Sequence, residues 1–263
     1  MTIFRTIAAF LFIASSAYAE DCKMIAGASD YSPLTYNGEG NIVEGMDVKL
    51  LNLIAKQTNC TITWQPIMPW ENVVSKIKSG EITFATSATK TPERQTYANF
   101  IPYRPDSIKI FVRKEDLAKL RNITSFEDII AKTTFNIGIY QDYHYGPSFE
   151  KAFANPKNKS RFSSVPDTLM TDNFVKLIYS QVDAVILETV VGLDLIKRNN
   201  WTDKITTLDF EMNDQGPNSV TNIMISKAAD PDNKFYYILQ NAVASAKDSP
   251  EYKKVLDQYT PSK

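Results

Sequence analysis

Short runs of β-branched and aromatic residues alternate along this chain with stretches whose apolar side chains recur every three or four positions. That alternation limits the fold more than any other feature. Residues 23–27 and 61–65 read as strands, and between them Met46, Leu50, Leu53 and Ile54 fall on one stripe, because a helix returns to the same face every 3.6 residues. Trp70, Val73, Val74 and Ile77 repeat the helical spacing after Pro69, and Gly80 ends it, the residue type that best tolerates a left-handed helix stop. Residues 82–85 form a third strand candidate, and the polar run 86–94 reads as a loop feeding the next helix. Strand, helix, strand in succession predicts α/β layers, with polar loops where strands pass into helices.

The pattern resumes further on. Strands are expected at residues 108–112, 135–139, 182–187 and 221–225, and helices at 147–153, 171–179 and through Leu193 and Ile196. Ser125 with Asp128 three positions later makes a capping box, with Asp in place of Glu or Gln. Phe235, Ile238, Leu239, Ala242, Val243 and Ala246 mark a long amphipathic helix, and Tyr252, Val255, Leu256 and Tyr259 a last one. Pro102-Tyr103-Arg104-Pro105 and residues 212–219 read as linkers between two units. No glycine-rich phosphate loop and no short-period repeat interrupts this organisation.

The first residues carry a different message. Arg5, an apolar run over 7–14 and the ending Ala17-Tyr18-Ala19 fit an export signal cleaved after Ala19. The run is far shorter than the roughly 20 residues of a membrane span. Export implies an oxidising compartment, so the two cysteines, Cys22 and Cys60, are expected to form a disulfide. Each directly precedes a strand candidate, and adjacent parallel strands would set those starts side by side. The net charge of −1, with acids and bases interspersed, points away from nucleic acid. The single histidine, His144, and the lack of a Cys-x-x-Cys pair leave no expected metal site.

Several local sequences then resemble one family. They are Asp30-Tyr31-Ser32-Pro33-Leu34, Glu44-Gly45-Met46-Asp47-Val48-Lys49-Leu50, Trp70, Gly80 and Thr89-Lys90-Thr91-Pro92-Glu93-Arg94. Asn99-Phe100 with Pro102-Tyr103 and Val182-Asp183-Ala184-Val185-Ile186-Leu187-Glu188 complete the set, in order, across the whole mature chain. They resemble the family 3 extracellular solute-binding proteins, polar amino-acid binders of ABC importers. The resemblance implies a two-lobed periplasmic binding protein fold of type II, with a ligand cleft between the lobes. One lobe would hold residues 20–105 and 210–263, and the inserted one residues 106–209. It implies a periplasmic, monomeric protein with no cofactor and no catalytic residue, handing an amino acid or similar small carboxylate to a membrane permease.

The same resemblance assigns the site. Arg94 matches the arginine that grips a ligand carboxylate, a task suited to a guanidinium fork, and Thr89 matches a hydrogen-bonding partner of that carboxylate. Tyr31 and Trp70 match aromatic walls; by periodicity alone Trp70 reads equally as core, while Tyr31 stands in a polar loop. Glu188 stands where the family has an aspartate for the ammonium group. Asp183 matches a structural position outside the pocket. The chain departs from the family at Tyr140-Gln141-Asp142-Tyr143-His144-Tyr145-Gly146, where relatives carry small residues; Tyr143 is the expected cleft residue of this loop, and three tyrosines there would narrow the pocket. Two rivals share the architecture. A lyase of the cyclohexadienyl-dehydratase type would use Glu188 beside His144 as acid and base, and a sensor would report to a membrane receptor.

Overall fold

The computed structural model describes residues 22–141, 143–166, 169–212 and 219–259; the expected export signal and most of the expected linker at 212–219 lie outside the described residues. Twelve strands and eight α-helices follow one another among them. The strands are β1 (Cys22–Gly27), β2 (Tyr36–Asn37), β3 (Val43–Glu44), β4 (Cys60–Trp64), β5 (Phe84–Ala88), β6 (Ala98–Pro105), β7 (Ile108–Arg113), β8 (Ile137–Tyr140), β9 (Phe162–Val165), β10 (Ala184–Glu188), β11 (Ile205–Thr207) and β12 (Val220–Ser226). The helices are α1 (Met46–Ala55), α2 (Trp70–Ser79), α3 (Phe126–Lys132), α4 (Pro147–Ala154), α5 (Asp172–Ile178), α6 (Thr189–Arg198), α7 (Lys234–Lys247) and α8 (Pro250–Tyr259).

The strands form two five-stranded sheets, ordered β4-β1-β5-β12-β6 and β11-β7-β10-β8-β9, beside a two-stranded β2–β3 ribbon. Each five-stranded sheet mixes parallel and antiparallel pairs and carries one lobe. The chain passes from the first sheet to the second between β6 and β7 and returns between β11 and β12. Helices α1, α7 and α8 pack together against the first sheet through Leu50, Leu51, Ile54, Leu239, Val243 and Tyr252, all buried.

β1 and β4 pair in parallel with Cys22 opposite Cys60, and the two cysteines are bonded, closing a loop of separation 38. Gly80 caps α2 in the left-handed region at φ 84°. Ser125 caps α3 by accepting from the Asp128 amide, while the Asp128 carboxylate accepts from Thr124 rather than from the cap residue itself. Gly45 is required for another reason. A Cβ there would lie 2.1 Å from the Leu34 carbonyl oxygen. That close approach lets the Pro33 and Leu34 carbonyls accept the first amides of α1, from Met46 and Asp47.

Three sequence expectations are corrected. Pro102 to Pro105 is not a linker but part of β6, which pairs with β12 over its whole length; both prolines are tolerated because β6 is an edge strand, where a missing N–H breaks no inner ladder. The third strand begins at Phe84 rather than residue 82 and runs on through Thr86, Ser87 and Ala88. Those polar residues belong to the ladder because β1 and β12 flank β5. No α-helix follows the loop; Arg94 sits in a single 3₁₀ turn, Arg94–Thr96.

Candidate ligand-binding site

The ends of β5, β6 and β10 meet where the two lobes face each other. A cavity of about 70 Å³ opens there, and among its lining residues are Tyr31, Trp70, Thr89, Arg94, Tyr143 and Glu188. All six expected site residues therefore border one space.

Its first wall comes from β5 and the turn after it. The Arg94 guanidinium donates through Nη1 to the Thr89 carbonyl at 3.0 Å, and its Cζ lies 5.5 Å from the Trp70 ring centre. The Arg94 amide donates to Thr91 Oγ1 at 3.2 Å, which fixes the turn. Trp70 opens α2, partly buried, with one side on the Val73, Ile77 and Phe100 cluster and the other on the cavity. It is wall and core at once.

The opposite wall belongs to the second lobe. Tyr143 meets Tyr31 edge-on across the cleft, with ring centres 5.8 Å apart. Tyr31 is buried, contrary to the expectation from its polar loop; the Tyr31–Thr35 bridge folds that loop inward, and burial raises the phenol pKa well above its usual value. The aromatic loop does not present three tyrosines to the cleft. Tyr140 turns into the lobe, where its hydroxyl donates to the Met170 carbonyl at 2.7 Å. Tyr145 is buried too and its hydroxyl accepts the Tyr140 amide at 2.8 Å, although one face still borders the cavity. The burial of Tyr140 and Tyr145 within the second lobe is not revealed by periodicity in so short a loop. His144 also lines the cavity, with Nδ1 3.5 Å from Glu150.

Glu188 ends β10 and precedes α6 without a side-chain capping bond. Its Oε1 accepts from Arg104 Nη1 at 2.7 Å, across the two lobes. Arg104 is nearly inaccessible and donates its Nε to Asp47 Oδ1 at 2.9 Å and its Nη2 to Ser87 Oγ at 3.0 Å. Ser87 in turn donates to Asp47 Oδ2 at 2.6 Å. Ser87 reaches this position because β5 bulges: Ala85 faces Met224 and Ala88 faces Asn222, so three steps oppose two. The bulged Ser87 takes φ 53°, a strained value for a non-glycine residue that its hydrogen bonds offset.

Desolvation pushes the Glu188 pKa up to about 8, and the neighbouring Asp106 carboxyl adds to that while Arg104 opposes it. Burial would weaken the charge on Arg104, but Asp47 and Glu188 outweigh it and hold the guanidinium firmly protonated. Asp183 stays out of the cavity, accepting from the Asn136 amide at 2.9 Å. Sequence reading missed Arg104, Asp47 and Asp106. Asp47 stood only inside a family-like motif and Arg104 inside an expected linker.

Two mixed α/β lobes with a polar and aromatic cavity between them define a two-lobed periplasmic binding protein. The model of the bacterial extracellular solute-binding proteins, family 3, matches residues 24–262, and the chain belongs to that family. Among curated proteins it is similar to a probable histidine-binding protein of Neisseria gonorrhoeae, at 25% identity over 89% of this chain and 81% of that one. An arginine-binding periplasmic protein of Mannheimia haemolytica is 25% identical over 53% of this chain and 62% of its own length. Among solved structures, an ancestral arginine-binding protein bound to arginine shares the fold with a TM-score of 0.68 at 20% identity, covering 91% of this chain and 98% of that one.

Proposed function

We propose that the protein is the periplasmic capture component of an ABC importer and takes up an amino acid or a close carboxylate relative. One observation carries the reading: the guanidinium of Arg94 and the carboxyl of Glu188, carried by different lobes, border the same small cavity. A solute with a carboxylate at one end and an ammonium at the other bridges them and stabilises the closed form. In this reading Arg94 and Thr89 receive the carboxylate, Glu188 the ammonium, and Tyr31, Trp70 and Tyr143 pack against the rest. Residues 20–105 with 210–263 act as one lobe and 106–209 as the other, after export with cleavage at Ala19. The protein works as a monomer, passes its solute to the permease and carries out no reaction. The names of the histidine- and arginine-binding relatives support an amino-acid solute.

The lyase reading is disfavoured, because His144 leans on Glu150 while Glu188 is held by Arg104; purified protein should leave prephenate unconsumed. The test of the main reading is a thermal-shift screen of the standard amino acids, since a true ligand raises the melting point by mass action. Calorimetric titration of Arg94→Ala with the best hit follows. Losing the carboxylate's partner in a desolvated site should cost on the order of 2–5 kcal/mol, roughly 30-fold to several thousand-fold in Kd. Wild-type affinity in folded Arg94→Ala protein would overturn the carboxylate clamp.

A further inference from the structure

Three carboxyl groups converge on one guanidinium at the inner end of the cleft. Asp47 takes the Nε of Arg104 and Glu188 takes Nη1. Asp106, two residues beyond Arg104, is the third. Strand pairing places it there: Glu188 pairs with Ile108, the Thr189 amide donates to the Ser107 carbonyl at 2.7 Å, and the two hydroxyls of that pair lie 2.8 Å apart. The Asp106 carboxyl comes within hydrogen-bonding reach of Glu188, and both line the cavity. With every group ionised, this corner would carry two negative charges in excess over Arg104.

The other groups facing the pair do not relieve that excess. Tyr31, Tyr103 and Tyr145 are buried phenols whose pKa values are raised by desolvation, so they stay neutral. Tyr143 packs on Tyr31, His144 pairs with Glu150, and Arg94 belongs to the far wall beside Trp70. Two carboxyls so close cannot both ionise cheaply in a low-dielectric site.

We propose that Asp106 and Glu188 act as one acid pair that holds a single proton in the empty cleft and exchanges it for the ammonium group of the captured solute. Asp106 thereby becomes a second residue selecting a cationic group, beside the Glu188 of the reading above, on which this inference rests. Charge balances in the exchange: one positive ion enters the corner, and one proton leaves through the cleft to water. Desolvation raises the Asp106 pKa as it does that of Glu188, in keeping with a shared proton.

The pair can be tested without a known solute. In protein labelled with ¹³C at the side-chain carboxyls, one glutamate carbon should titrate near pH 8. That signal should vanish in Glu188→Gln and move to lower pH in Asp106→Asn. If every carboxyl carbon titrates in the ordinary range, below about pH 5, the proposal is overturned. For an amino acid that the screen shows to bind, affinity should tighten about tenfold per pH unit between about pH 5.5 and 7.5, because release of one proton drives binding. Asp106→Asn should flatten that slope, an effect a purely structural residue would not have. A flat slope in the wild-type protein overturns the exchange even if Arg94→Ala abolishes binding. If no standard amino acid binds, the amino-acid reading falls by itself, and the ¹³C titration repeated with methylammonium decides the pair: an unmoved Glu188 signal overturns it.

Discussion

The two ends of the cleft are built in opposite ways. At one end, Arg94 stands on a single 3₁₀ turn, with a backbone carbonyl and the face of Trp70 as its neighbours. At the other, Glu188 is wired through Arg104 into Asp47 and Ser87, groups from both lobes that are buried or nearly so. The first end is tied within one lobe, and the second links the two lobes. In the proposed reading, Arg94 would meet the solute from within one lobe, whereas Glu188 would meet it through a network that spans both. Pre-organised partners also lower the entropy lost when a ligand binds.

This contrast is open to measurement on the empty protein. The largest effect should come from Arg104→Ala. It strands Asp47 and Glu188 in a dry site, and unfolding in denaturant should show a loss of about 3–5 kcal/mol. A stability close to wild type would mean that this network does not hold the lobes together. Next comes pH. Because the Glu188 pKa is raised in the folded protein, its protonated form favours folding: this contribution is full below about 4.5, the ordinary value, and is lost as pH rises through about 8. Glu188→Gln should therefore flatten the fall in melting temperature over that window, and an unchanged profile would remove the buried acid from the account. Trp70→Ala should cost about 1–2 kcal/mol, since the ring is only partly buried. Arg94→Ala should cost about 1–2 kcal/mol, less than Arg104→Ala, since it removes a hydrogen bond and a ring contact but strands no buried carboxylate. An Arg94→Ala loss larger than that of Arg104→Ala would invert the comparison.

The sequence made the outer end easy to see and the inner end nearly invisible. Strands, helices and stops such as Gly80 follow from spacing within a few residues, and most of those elements appear within two residues of where periodicity puts them; β5, which ends three residues later, is the exception. Arg94 and Thr89 lie five positions apart in one recognisable motif. Arg104 instead meets Asp47 across 57 positions and Glu188 across 84. Nothing local marks such a pair, and the prolines on either side of Tyr103 and Arg104 made β6 look like a linker. β9 and β11 were also hidden, because Phe162–Val165 and Ile205–Thr207 are short and half polar. The bulge at Ser87 shows only in the register of β12 against β5.

The disulfide has a consequence for life in a crowded compartment. The first sheet has two borders, β4 and β6. A border strand is a template on which another chain can add itself, the first step of many aggregates. At β4 the Cys22–Cys60 bond ties the outermost strand covalently to its neighbour, so no invading segment can take its place by strand exchange. At β6, Pro102 and Pro105 each remove a donor from the exposed rim. One border strand cannot be peeled from its neighbour, and the other lacks two of its hydrogen-bond donors.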